Sequence, residues 1–303
     1  MAKNYPKATF STRTISRRSL FRGSAVAGVG ALGLLAVGCG DDDDTLERIQ
    51  EEGYVTIGIA NEAPYGHVDE AGETVGQAPT VAREVFNRMG IEEMVTVVVP
   101  FGSLIPGLQA GRFDIISAGM FITPDRCEQI LFSDPDYCVP QALGVEAGNP
   151  FGLNSFEDIA ANPEVRLGMP SGVIEEDYAL AAGVDPDQFV FFDDLIGAGE
   201  ALAAGRVDAI AATSLAIDAE IARLDDPGLE ATPAFEVVID GEPQSGCGGY
   251  GFRTDDEDFR DAFNDVLAQM KQDGEIRPLV EEFGFTDEVD AAVDRTAEEL
   301  CEA

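Results

Sequence analysis

The stretch LQAGRFDIISA at residues 108–118 recurs as LAAGRVDAIAA at residues 202–212, with seven of eleven positions identical and a constant offset of 94. Each copy reads as the end of a helix, a Gly-Arg turn, an aspartate and then a buried strand. Helix–glycine–strand junctions look alike in many chains. An offset of 94, however, is about the size of a small domain, so the repeat points to two lobes of similar plan.

The segments around the repeat alternate in the same way. Tyr54 to Ala60 predicts a strand. Thr80 to Met89 has helical spacing, with Val81, Val85 and Met89 on one face and Gly90 as its C-cap. Val95 to Val99 predicts a strand, Ser103 to Ala110 a helix and Phe113 to Ala118 a strand again. This alternation predicts an α/β fold with mixed, mainly parallel sheets flanked by helices. In such folds a site is expected between lobes, at the carboxyl ends of strands.

Composition narrows the function. The chain has 303 residues, 45% hydrophobic and 25% charged, and a single histidine, His67. One histidine leaves no basis for a His-based metal centre or a Ser/His triad, and no catalytic residue, metal or cofactor is expected. Residues 1–38 carry six basic residues and no acidic one. SRRSLF at 16–21 matches a twin-arginine export signal, followed by an apolar run from Ala25 to Val37 that is too short to span a membrane. AVGC at 36–39 resembles a lipobox, making Cys39 the expected lipid attachment site and residues 39–45 an acidic tether. The expected location is the outer face of the cytoplasmic membrane.

Without that leader, 57 acidic residues face 13 basic ones, a net charge of −44, and Lys271 is the only lysine left. Nucleic-acid binding needs a basic face and is excluded on this balance. The acidity also suits high salt, where screening relieves self-repulsion. Beyond Cys39 remain Cys127, Cys138, Cys247 and Cys301. An even number in an exported chain predicts two disulfides. Four cysteines allow three pairings; the preferred one joins Cys127 to Cys138 and Cys247 to Cys301.

GMFITPDR at 119–126 and FSDPDY at 132–137 resemble the signature of family 3 extracellular solute-binding proteins, the two-lobed type II receptors of ABC importers. The resemblance covers about residues 45–301. It implies a type II periplasmic-binding-protein fold, with lobe 1 made of 45–145 and 246–303, lobe 2 of 146–245, and hinge strands near Leu143 and Tyr250. It also implies a monomer that binds a small solute, is not an enzyme and docks on membrane permease subunits. Arg126 follows Thr123 and Pro124 at a turn into a short helix, where a planar guanidinium can grip a carboxylate.

Within the family, ANEAPY at 60–65, FGSLIPGLQAG at 101–111 and GMFITPDRC at 119–127 resemble the ectoine/hydroxyectoine-binding branch. That resemblance implies three aromatics around the ligand, Tyr65, Phe101 and Phe121, with Glu62 accepting from the ring N–H groups. Ectoine is a cyclic zwitterion with a delocalised amidinium, which aromatic faces attract by up to about 2 kcal/mol when desolvated. Two positions depart from the wider family. Thr213 stands where amino-acid-binding relatives place an aspartate for the α-amino group. Gly172, Val173 and Ile174 stand where relatives often have Gly-Thr-Thr, leaving only backbone N–H groups for the ligand. The alternatives are a polar amino acid or another compatible solute. From a different class, a cyclohexadienyl-dehydratase-like enzyme would need Glu62 as general acid.

Two further motifs compete for attention. GCGGYG at 246–251 fits a dinucleotide fingerprint, but no helical pattern follows it. Glu175, Glu176 and Asp177 read either as paired catalytic carboxylates or as favourable acids in a first helical turn.

Overall fold

The computed structural model describes residues 45–239, 241–244 and 246–302. The export signal, Cys39 and the tether up to residue 44 lie outside them. Short, largely apolar runs build two sheets. The first takes β1 (Tyr54–Ile59), β2 (Glu93–Val98), β3 (Ile115–Phe121), β4 (Leu131–Phe132), β5 (Tyr137–Cys138) and β11 (Cys247–Phe252). Its order is β2-β1-β3-β11-β4, with β5 also on β11. The second takes β6 (Gln141–Glu146), β7 (Leu167–Pro170), β8 (Phe189–Phe192), β9 (Ala209–Thr213) and β10 (Leu229–Ala231), in the order β8-β7-β9-β6-β10.

β2-β1-β3 and β8-β7-β9 are parallel, whereas β11 and β6 run antiparallel to their neighbours. The two lobes therefore share one plan: a parallel ladder, completed by a strand arriving from the other lobe. The helix Gln77–Met89 (α1) covers the first sheet, burying Val81, Val85 and Phe86, and Gly90 closes it in the left-handed region at φ 83°. The Phe86 ring meets Phe263 and Phe259 of the helix Glu257–Gln272 at 5.5 and 6.1 Å. Burying side chains of this size contributes about 1.5–3 kcal/mol each.

The sequence repeat is a structural one. Gly111 and Gly205 both turn at φ 66°, a conformation that favours glycine. The aspartate immediately before each strand caps the neighbouring parallel strand. Asp114 accepts from the Thr56 backbone N–H at 2.9 Å, and Asp208 from that of Arg166 at 2.8 Å.

Two expectations are corrected. Residues 141–145, assigned to lobe 1, pair within the second sheet, and the chain crosses at Val139 and Pro140. Leu143 lies in β6 and Tyr250 in β11. The disulfides join Cys127 to Cys301 and Cys138 to Cys247. Strand register decides the second, since Cys138 and Cys247 are opposed across the β5–β11 ladder. The first links the helix Pro124–Cys127 (α2) to the C-terminal helix Ala297–Cys301 packed on it.

Candidate functional site

The carboxyl ends of β1, β3, β7 and β9 converge on one partly open pocket between the lobes, which leaves about 30 Å³ for a water-sized sphere. Eight of the nine expected ligand residues line it: Glu62, Tyr65, Phe101, Phe121, Arg126, Val173, Ile174 and Thr213. The ninth, Gly172, lends its carbonyl, which accepts from Arg126 Nη2 at 3.2 Å.

Lobe 1 supplies most of the reactive side chains. After β1 the chain turns at Asn61, and Glu62 and Gly66 exchange backbone hydrogen bonds at 2.9 Å, which aims Glu62 and Tyr65 at the cleft. The Tyr65 ring is buried against Tyr137 and Phe285 at 5.2 and 5.4 Å. Gly119, at φ 64°, must be glycine, because a Cβ there would lie 2.3 Å from that ring. At the end of β3, Thr123 caps α2 and sets Arg126 in its first turn. Arg126 is 9% exposed; its Nη1 donates to the Phe121 carbonyl at 2.8 Å, and its Cζ stands 5.4 Å over the Phe101 ring. Burial lowers its pKa, against the pull of Glu175.

Lobe 2 presents backbone and small groups. β7 ends at Pro170, the chain turns at Gly172 with φ 80°, and the helix Ile174–Ala181 (α3) begins. Thr213 caps the helix Ser214–Leu224 and accepts from the Tyr65 hydroxyl at 2.8 Å, joining the lobes. The backbones of the two lobes come close at Gly102 and Gly172, where a Cβ on Gly172 would sit 2.9 Å from the Gly102 Cα.

Glu175 is the side chain that sequence reasoning missed. It lies in the pocket wall at 4% exposure, while Asp177 points to solvent. With its amide nitrogen turned inward, Gln141 donates to Glu175 Oε1 at 2.8 Å and to the Ala212 carbonyl at 3.0 Å. Burial drives Glu175 up to about 7, opposed by a backbone hydrogen bond, by Arg126 and by Gln141. Burial likewise raises Glu62 to about 8, reinforced by Glu175, Glu220 and Asp194. Three adjacent acids gave no hint of which one faces inward. Gly119, Pro170, Ala211 and Ala212 were also missed; they shape the wall without polar side chains.

The GCGGYG stretch forms β11 and no phosphate-binding loop. Among the described residues there is no cluster of metal-ligating side chains, and no helix is long and apolar enough to cross a membrane.

Residues 55–286 match the model of the bacterial extracellular solute-binding proteins, family 3. A probable amino-acid ABC transporter periplasmic-binding protein of Sinorhizobium fredii is 38% identical over 260 residues, 85% of this chain and 86% of that protein. The crystal structure of EhuB in complex with hydroxyectoine superposes with a TM-score of 0.78 at 39% identity, covering 84% of this chain and 97% of that one. An ancestral amino-acid-binding protein, described as a precursor of cyclohexadienyl dehydratase, superposes with a TM-score of 0.68 at 26% identity, covering 79% and 99%. The two-lobed α/β architecture and the extent of these matches lead to one assignment: the chain belongs to the family 3 bacterial extracellular solute-binding proteins.

Proposed function

We propose that the protein is an exported, lipid-anchored receptor that delivers ectoine or hydroxyectoine to an ABC permease, closing two lobes around the solute as a monomer. In this reading lobe 1 comprises 45–140 and 246–303, and lobe 2 the residues between. The observation that carries it is the makeup of the lobe 1 wall. One buried guanidinium, three aromatic side chains and one carboxylate face a lobe 2 turn of backbone groups. Arg126 pairs with the ligand carboxylate. Tyr65, Phe101 and Phe121 hold the delocalised cation by their faces. Glu62 accepts from its ring N–H groups, and the N–H groups near Gly172, Val173 and Ile174 complete the cage. The likeness to the hydroxyectoine complex supports this ligand.

A second reading, a polar amino acid, draws on the name of the Sinorhizobium relative. Against it stands Thr213, which brings a hydroxyl where an α-amino group would want a carboxylate. Glu62 keeps an enzymatic reading open in chemistry, since a carboxyl near 8 can donate a proton; solute capture needs no such step. Calorimetry with ectoine, hydroxyectoine, betaine and polar amino acids tests the assignment. Tight ectoine binding without turnover supports it, and preference for an α-amino acid overturns it. Membrane fractionation of Cys39→Ala tests the anchor: the variant should be released, and a variant that stays bound refutes lipidation.

A further inference from the structure

Closure brings two carboxylates from opposite lobes into one pocket. Glu62 comes from the turn after β1 and Glu175 from the first turn of α3. The pocket holds a single guanidinium, Arg126, which acts on Glu175 across the cavity. The outlying charges do not redress the balance. Glu220 is cancelled by Arg223, which donates to it twice at 2.7 Å. Asp194 accepts from the Gly197 N–H at a helix start. Asp177, beside Arg126, adds further negative charge. Tyr65, Tyr137 and Tyr178, ionisable groups nearby, are held neutral by burial, and burial also lowers His67, which shares a groove with Glu62. With both carboxylates ionised the pocket carries a net −1. A zwitterion adds its own −1 and +1 and leaves that excess in place.

We propose that the site takes up protons together with a zwitterionic solute, and that Glu62 and Glu175, one from each lobe, hold them. This rests on closure around a zwitterion as proposed above. Opening the lobes lets water reach the pocket and relieves the burial that raises both carboxyls. Closing removes that water, and the enclosed pair titrates at about 7 to 8. The closed form thus binds protons more tightly than the open form. Closure is favoured at low pH, and affinity falls as pH rises from about 5 to about 8 and levels off above. Glu175 also receives the hydrogen bond of Gln141, the first residue of β6, which ties the pair to the strand that enters lobe 2.

The test is calorimetry with ectoine, hydroxyectoine, betaine and glutamine at pH 6.0, 7.0 and 8.5, in buffers of different ionisation enthalpy. Any zwitterion that binds should bring in between one and two protons at pH 6–7 and lose about tenfold or more in affinity by pH 8.5. Glu175→Gln removes one of the two carboxyls and a charge that raises the other, so its proton uptake should fall by about half or more and its affinity should change less with pH than that of the wild type. At pH 8.5 it should bind more tightly than the wild type. Glu62→Gln, weaker in affinity, should likewise take up fewer protons than the wild type and serves if Glu175→Gln fails to fold. Binding heats that do not depend on buffer overturn the proposal, as does an unchanged pH slope in both variants. If ectoine fails but another zwitterion binds with a proton, the ligand assignment falls and the proton coupling stands.

Discussion

The two copies of the repeat run alike through their helix, their glycine at φ 66° and their aspartate, and diverge only where their strands end. In lobe 1 the strand runs to Phe121 and then to Thr123 and Arg126, placing a cation and an aromatic ring at the pocket. In lobe 2 it ends at Thr213, whose hydroxyl caps a helix and meets Tyr65. One scaffold has thus been given two tasks. Lobe 1 carries the groups with strong, directional attraction for a solute. Lobe 2 carries close-fitting backbone and Glu175, which act only when the lobes meet. Lobe 1 changes should therefore alter capture, and lobe 2 or contact changes should alter closure.

The largest effect is expected at the lobe 1 anchor. Arg126→Ala should abolish detectable binding, since a ligand carboxylate left desolvated and unpaired costs about 2–5 kcal/mol. Arg126→Lys should recover little, because the planar fork is lost. Wild-type affinity in either variant would mean that the carboxylate is held elsewhere. Next comes Gly102→Ala, which sits at the contact between lobes. Its φ is ordinary, but its Cβ would meet the Ser171 carbonyl at 2.9 Å. Overpacking of this kind costs about 1–3 kcal/mol, felt only when closed. Affinity should fall about tenfold with little change in the melting temperature of the empty protein, and ligand should no longer compact it in small-angle scattering. Unimpaired closure would show that the glycines do not limit the approach. Phe121→Leu keeps bulk and removes the π face, so calorimetry should record a loss of about 1–2 kcal/mol for an amidinium ligand and less for a neutral one.

The parallel cores of both lobes were legible, because apolar strands and amphipathic helices alternate with glycine punctuation. The lobe 1 side chains of the site were legible through motifs. The crossing at Pro140 was not. The run from Val139 to Val145 is apolar apart from Gln141, and only the proline, which cannot donate to a ladder, marks where the chain leaves one sheet for the other. The antiparallel strands β6 and β11 were obscured for the same reason, since each pairs with residues far away in sequence. The cysteine pairing depends on that register and was out of reach without it. Glu175 was hidden because a first helical turn explains an acid equally well whether it faces solvent or a pocket.

The smallest effect should be at the hydrogen bond that crosses between the lobes. The Tyr65 hydroxyl donates to Thr213 Oγ1 at 2.8 Å, within the pocket wall. Tyr65→Phe keeps the ring, its packing on Tyr137 and Phe285, and the face offered to a cation. What it removes exists only when the lobes are together. A neutral hydrogen bond of this kind contributes about 0.5–1.5 kcal/mol, and Thr213 can turn its hydroxyl elsewhere. Affinity should therefore fall by less than about tenfold, with the loss in a faster dissociation rate and the association rate unchanged. The melting temperature of the empty protein should stay close to the wild-type value, because an open molecule does not make the bond. Stopped-flow fluorescence from a dye on lobe 2 would separate the two rates. A slower association with unchanged dissociation would instead mean that Tyr65 acts during first capture, making it a lobe 1 anchor alongside Arg126.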